Sequence, residues 1–570
     1  MSRIRAVSAS VVMSLRPGPA PFAVARGARA CLAAGLIAGY GVLADDMQTV
    51  GIAYLGAACS VAFVTGGTYR HQARALAAQA TGALLGIAVG AALAHGAVGM
   101  VVTAVVAGAV SGGAGAMGPS APGFGMMLSI GVAFGQFGGA SLPWWQQALA
   151  YLIGAAVVAA ATLAPWAYQR GAAERKAAAA VMTAAADLLA ATGTPAAGRA
   201  RARLAAASAV AREAGPQRGP ELAAFAAAAL YADGEKAPYE AVAALRTAGS
   251  QLLAGQPVAV AWRPPNGSPG LHALAEALDS GPRPPAETSP RPGRALRFVL
   301  TRTAVANAGR LALCMGAATA LTLALHERSH AFWLPLTVAV IVRPEYASVF
   351  VRTVNRVCGT LLGAAATAAL LATGPPEITM ACAAAAALGF AAMTAPKLYA
   401  LNVVGVTASA LLSSSLTGPD AVLPGLRLLD TLLGAAVAVV LGYLLWPGAR
   451  RLPGAARLDI AVRTAARYLD QAVKAPGDRE RFPLRRDEAY LRAHQARAAA
   501  ENAVAEPPPV SDQAVRLIPA AGRLEEIVDA ITAVAAARDH GVVVPGRADE
   551  LRRRLGDLVA QPRRDPPATT

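Results

Sequence analysis

Ala97–Gly118 reads AVGMVVTAVVAGAVSGGAGAMG, a run with no charged residue. It is long enough to cross the hydrocarbon core of a bilayer as a helix, which takes about 20 residues. Similar runs recur on both sides of it. In a first apolar block the expected spans are Arg29–Ala44, Met47–Thr65, Arg74–Ala94, Ala97–Gly118, Gly123–Gly139 and Gln147–Trp166. In a second they are Arg310–Leu325, Ala331–Val342, Val354–Ala372, Ile378–Met393, Leu398–Leu416 and Leu426–Trp446. The reading is therefore an all-α membrane protein with six spans in each block.

Whole-chain composition agrees. Of 570 residues, 55% are hydrophobic and 15% charged, and mean hydropathy is +0.44; an average soluble domain is about 25% charged. There is no glycine period, and the five cysteines (Cys31, Cys59, Cys314, Cys358, Cys382) lie in or beside apolar segments without a CxxC pair. Collagen-like, disordered and disulfide-stapled chains are thereby excluded. Lys+Arg 51 against Asp+Glu 34 gives a net charge of +17. The basic residues flank apolar runs and form no aromatic-interleaved stripe, so they read as topology signals and not as a nucleic-acid surface. Met1–Pro21 carries Arg3, Arg5 and Arg16 but no sustained apolar core with a cleavage site, so no removable signal peptide is expected.

Arg16, Arg26 and Arg29 precede the first span, and Arg70 and Arg74 follow the second. Arg343, Arg352 and Arg356 occupy the matching place in the second block, whereas the opposite loops hold Asp45 and Asp46 or the weakly charged Pro419–Pro424. The positive-inside rule puts the arginine-rich loops, both termini and both polar stretches in the cytoplasm. Four regions follow: 1–168, a first six-helix transmembrane repeat; 169–302, a cytoplasmic Ala-rich helical region with a Pro-rich linker over Pro257–Pro292; 303–446, a second six-helix repeat; and 447–570, a cytoplasmic helical tail. Helices are expected over Ala172–Ala191, Glu221–Ala232 and Ala241–Ala254, and in the tail over Leu458–Val473, Asp487–Val504 and Asp512–Ala537, with the last ten residues disordered.

The two apolar blocks resemble each other. Gln79–Gly86 (QATGALLG) matches Arg356–Gly363 (RVCGTLLG), Tyr69 falls on Tyr346 at the same offset, and Leu152–Val157 (LIGAAV) matches Leu432–Val437 (LLGAAV). Two six-span repeats share one orientation, so their relating axis runs along the membrane normal and a solute path belongs at their interface. Gly82, Gly86 and Gly90, and likewise Gly359 and Gly363, recur every fourth residue and read as close helix packing.

His330–Val338 (HAFWLPLTV), Arg343–Tyr346 (RPEY) and Arg356–Gly363 together resemble the signature of the fusaric acid resistance-like (FUSC) membrane proteins: a Trp-x-Pro-Leu-Thr-Val span, a proline turn, then Arg-x-x-Gly-Thr-x-x-Gly. Arg427–Gly434 (RLLDTLLG) is similar to that family's final span, and the resemblance covers about Arg310–Trp446. It implies a bacterial inner-membrane protein, an aromatic acid exporter in type, handling aromatic carboxylic acids and similar small organic acids. It also implies a fused pseudo-dimer, since the layout is similar to that of plant malate channels that pair two six-span subunits.

Ala331–Val342 is too short to span, Pro335 and Pro344 interrupt its region, and a short, proline-broken span is a pointer to a transporter binding site. Arg343, Arg352 and Arg356 would supply guanidiniums to a carboxylate, with Thr337 adding a hydroxyl. The other reading makes these arginines cytoplasmic anchors. Asp430, several residues inside the last span, and Glu345 are the candidates for carrying a proton; Asp430 could equally pair with Arg427 one turn earlier.

Two motifs point elsewhere. Gly113–Gly118 fits GxGxxG but ends an apolar span, with no strand before it. His326-Glu327-Arg328-Ser329-His330 fits HExxH, but no third zinc ligand is evident. No GxxxxGK[ST] occurs, so neither an ATPase nor any other enzyme is expected, and no cofactor or metal is implied. The expected partners are small organic anions and the lipid bilayer, with homo-oligomerisation left open. The favoured function is secondary export of small organic acids, with a passive anion channel of the same architecture, a membrane zinc peptidase using 326–330, and a structural scaffold as alternatives.

Overall fold

The structure is a computed structural model and describes residues 2–18, 20–44, 46–64, 67–93, 95–115, 117, 120–138, 142–167, 169–215, 217–264, 267–279, 302–325, 331–343, 349–416, 422–446, 453–474 and 482–564. Among these residues every regular element is a helix. The first apolar block holds α1 (Ser2–Ser14), α2 (Val24–Ala44), α3 (Met47–Phe63), α4 (Tyr69–Ala92), α5 (Gly96–Ala114), α6 (Ala121–Phe137) and α7 (Trp144–Leu163, extended by a 3-10 turn to Ala167). The polar stretch after it forms α8 (Ala172–Ala191), α9 (Ala197–Ala214), α10 (Arg218–Ala232), α11 (Tyr239–Ala254) and α12 (Pro269–Asp279). The second apolar block forms α13 (Arg302–Ala324), α14 (Trp333–Ile341), α15 (Val349–Leu371), α16 (Glu377–Thr394), α17 (Tyr399–Ser415) and α18 (Leu423–Val439, extended by a π turn over Val440–Leu444). The tail forms α19 (Pro453–Ala472), α20 (Phe482–Ala503), α21 (Val510–Asp539) and α22 (Arg547–Arg564).

A helix stands at each expected span. Among the described residues eight helices are long and apolar enough to cross a membrane, making this a multi-pass membrane protein; α3 and α6 contribute shorter apolar helices. Within the first block α4 packs along α6, α3 along α7, and α4 also on α7. In the second block α15 packs along α17, α14 along α18, and α15 also on α18. Between blocks, α2 packs on α16 and α13 on α5.

Small residues make the closest of these contacts. A Cβ at Gly82, Gly86 or Gly90 would run into the backbone of Phe124, Leu128 or Val132 on α6, so α4 and α6 meet backbone to backbone. In lipid, where burying apolar surface gives no drive to associate, such contact is what holds helices together.

The two polar stretches share one hydrophobic core. Leu188, Leu230, Leu245 and Leu274 from α8–α12 cluster with Tyr468, Leu524, Ile531 and Leu551 from α19–α22. Arg201 on α9 reaches across to α21, donating to Glu525 at 2.6 Å and to Asp529. Burial acts to raise the Glu525 carboxyl, but His494, Arg201 and Arg497 outweigh it and hold the group down at about 2. A single core cannot be divided by a bilayer. Both polar stretches therefore lie on one side, and α13–α18 cross an even number of times.

The N-terminal segment lies on that side too. The Ser10 hydroxyl donates to the Glu506 carbonyl at 3.0 Å, the Asn355 amide to the Ser14 carbonyl at 2.9 Å, and the Gly18 N–H to the Lys397 carbonyl at 2.7 Å.

Two local expectations are corrected. Part of the expected linker, Pro269–Asp279, is a helix, because Leu271, Leu274 and Leu278 form one apolar stripe that buries against α10 and α21 despite the neighbouring prolines. At the C-terminus α22 runs to Arg564, into the stretch expected to be disordered.

Candidate functional site

The second block contains a buried polar cluster bounded by α14, α15, α17 and α18. α14 is nine residues long, about 14 Å at 1.5 Å per residue, less than half the hydrocarbon thickness. Trp333 thus opens this helix within the packed interior. Ala331 and Phe332 form the turn before it, and Pro335 sits in its first turn, where the missing N–H has no helical acceptor to lose. Trp333 packs with Ala364 of α15, Leu411 of α17 and Leu423 of α18.

Arg427, in the second turn of α18, places its guanidinium 5.0 Å from the centre of the Trp333 ring. It is only 3% exposed, and its Nε and Nη1 have no hydrogen-bond partner. Arg356, Asp430 and Tyr399 all lie within its electrostatic range. Arg356 Nε, the Thr360 hydroxyl and the Tyr399 hydroxyl are likewise buried and unbonded. Leaving a buried donor unsatisfied costs about 1–3 kcal/mol, more when it is charged. Several such groups in one place form a buried, positively charged cluster able to bond a carboxylate, with an aromatic face beside it.

The structure brings some of the residues expected from sequence into this cluster and leaves others out. Asp430 belongs to it, 3% exposed and one turn after Arg427. Arg356 belongs to it, and Arg352 is buried one turn earlier on the same face of α15. Thr337 is fully buried, but its hydroxyl donates back to the Trp333 carbonyl at 2.9 Å and its methyl packs on Gly434. Arg343 follows the far end of α14, where its carbonyl accepts from Arg310 at 3.3 Å. Glu345 and the 326–330 motif lie outside the described residues. Among the described residues no group of His, Cys, Asp and Glu is placed to hold a metal.

Arg427, Trp333, Tyr399 and Thr360 were not singled out as site residues by sequence reading. An arginine inside an apolar run was a usable signal at Arg427. Its stacking on Trp333 is not, because it joins residues far apart in the chain.

The first block holds a different arrangement at the matching positions. The alignment of QATGALLG with RVCGTLLG sets Gln79 opposite Arg356 and Ser60 opposite Thr337. That of LIGAAV with LLGAAV sets Gln147 opposite Arg427, Ala150 opposite Asp430 and Tyr151 opposite Thr431. There the Tyr151 hydroxyl donates to Gln79 Oε1 at 2.9 Å, Gln79 Nε2 to the Ser60 hydroxyl at 2.8 Å, and Ser60 to the Gly56 carbonyl at 2.7 Å. This chain of bonds is buried, neutral and closed.

Residues 313–441 match the family described as fusaric acid resistance protein-like. The chain is a multi-pass membrane protein whose segment 313–441 is similar to this family. The matched segment contains Trp333, Arg352, Arg356, Arg427 and Asp430, so the whole charged cluster lies within the FUSC-like part. An uncharacterised protein, ORF2, of Neisseria gonorrhoeae is 29% identical over 167 residues, which is 29% of this chain. The chain covers 40% of the length of that curated relative. No solved structure matches. The family is one of membrane transport and resistance proteins.

Proposed function

We propose that this FUSC-like protein is a secondary exporter of small organic acids, aromatic carboxylates among them, in the bacterial inner membrane. Arg427 carries the reading: a buried guanidinium stacked on Trp333, with two donor nitrogens unbonded, at the head of a helix too short to span. A carboxylate would bond Arg427 and Arg356 while its ring or chain lies against Trp333, and Asp430 would carry the proton that drives export. Arg352 lies on the polar-body side of Arg356 along α15 and would draw the anion in. The matched helix contacts of the two blocks, with α2 on α16 and α13 on α5, support two like-oriented repeats. The arginine-rich ends on the polar-body side support a cytoplasmic location for that body and both termini.

The test is flux of benzoate, 4-hydroxybenzoate and acetate in proteoliposomes, with and without an imposed pH gradient. Export stimulated by the gradient and abolished in Arg427→Ala is expected. Flux indifferent to the gradient but still dependent on Arg427 would identify a passive anion channel. Full flux in both Arg427→Ala and Arg356→Ala would remove the site.

A further inference from the structure

The polar body encloses a cleft of about 90 Å³ between α8, α9, α10, α20 and α21 that shares no lining residue with the membrane cluster. Val181, Leu188, Leu204 and Phe225 give it apolar walls. Its titratable side chains divide into two groups.

At one end Arg201 bonds Glu525 and Asp529, Arg497 donates to Glu525 at 3.0 Å, and the Tyr490 hydroxyl donates to Asp529 at 2.9 Å. Those carboxylates are satisfied. The other end is formed by the first turn of α8, the last turn of α9 and the first turn of α10, together with the start of α20.

Here the charges do not close. Arg486 bonds Asp487 at 3.1 Å and comes no nearer than 3.9 Å to Glu221. Arg212 directs its donors to the carbonyls of Ser208 and Asp487. One buried oxygen of Glu221 and one of Glu174 are left without any donor. The helix N-termini that carry these acids offset part of their charge but give these oxygens no hydrogen bond. Burial pushes the Glu221 carboxyl up from its ordinary range, and Asp487 adds to the effect. Five carboxylates and three guanidiniums line the cleft in all.

We propose that this cleft binds a small amphipathic organic cation, its ammonium donating to Glu221 and Glu174 and its apolar body lying along Leu204 and Phe225. The charge is opposite to that of the solute proposed for the membrane cluster, so the cleft is a binding site distinct from the transport site. The complement is specific: apolar walls favour a hydrocarbon body, two acceptors need N–H donors, and the excess of carboxylates disfavours an anion.

Calorimetric titration of the purified full-length protein in detergent, with 2-phenylethylamine, 2-phenylethanol and 3-phenylpropionate as probes, tests this. The amine is expected to bind saturably and the alcohol and acid at least about tenfold more weakly, the margin a charge-assisted hydrogen bond provides. The Glu174→Gln, Glu221→Gln double variant should lose the amine by a similar factor. Ala224→Phe, which fills the cleft from its wall and leaves every charge in place, should abolish binding, and Arg427→Ala should leave it intact. Equal binding of amine and alcohol, preference for the acid, no binding of any probe, or amine binding that persists in Ala224→Phe would each overturn the proposal. Should the double variant fail to fold, Ala224→Phe alone decides.

Discussion

At matching positions the two membrane blocks bury polar groups in opposite ways. In the first, Ser60, Gln79 and Tyr151 form a neutral chain in which each donor has its acceptor. In the second, Arg356, Arg427 and Asp430 replace Gln79, Gln147 and Ala150, and the guanidiniums keep unbonded nitrogens. A closed neutral network stabilises by about 1 kcal/mol per bond and rigidifies what it joins. An unsatisfied charged one lowers stability, and a protein retains such a cluster where a ligand completes it. On the proposed function the first block serves as scaffold and the second carries the site.

The largest expected effect separates them directly. Arg427→Ala should reduce carboxylate flux by about 100-fold, since a charge-assisted contact of roughly 1.5–3 kcal/mol is lost together with the favourable electrostatics between Arg427 and Asp430. Gln147→Ala, its counterpart, should change flux less than about twofold, because Gln147 is neutral and donates to the nearby Leu142 carbonyl at 2.8 Å. Initial rates in proteoliposomes at equal protein incorporation measure both. Equal losses in the two variants would mean that the blocks share the site.

Asp430→Asn comes next. The amide keeps the shape of the side chain but cannot take up and release a proton, so the stimulation of flux by a pH gradient should fall about tenfold while exchange of unlabelled for labelled anion continues. Exchange and gradient-driven flux falling together would make Asp430 a structural partner of Arg427 and not a proton carrier.

How much of this could be read from sequence depends on range. The helices were legible because an apolar run of sufficient length has few alternatives to a membrane helix. The short span opening at Trp333 was legible because Pro335 and the run's length are local properties. The partner of the Thr337 hydroxyl is concealed in the sequence: a threonine inside a helix returns its hydroxyl to the carbonyl one turn back unless something better is offered, as it does here to Trp333. Arg427 was visible as an arginine beside Asp430, but its ring partner comes from another helix. The shared core of the polar body was hidden for the same reason, since Leu230 and Leu524 meet only after a whole membrane block has been folded between them.

A smaller effect sharpens the scaffold side. Tyr151→Phe removes the donor to Gln79 Oε1 in a fully packed interior and should cost about 1–3 kcal/mol of stability, read as a lower melting temperature, with flux unchanged. Lost flux at unchanged stability would move part of the site into the first block.

The smallest effect comes from the pair Ser60 and Thr337, which occupy one register position. Thr337→Val keeps the shape and the methyl against Gly434 and removes only a hydroxyl bonded within its own helix, so a cost below about 1 kcal/mol is expected. Ser60→Ala removes the acceptor of Gln79 Nε2, leaving a buried donor unbonded, and should cost about 1–3 kcal/mol. Melting curves of the two variants therefore order the blocks by how fully each closes its polar groups. A Thr337→Val variant as costly as Ser60→Ala, or one that loses flux, would show the Thr337 hydroxyl engaged beyond Trp333 and return it to the anion site.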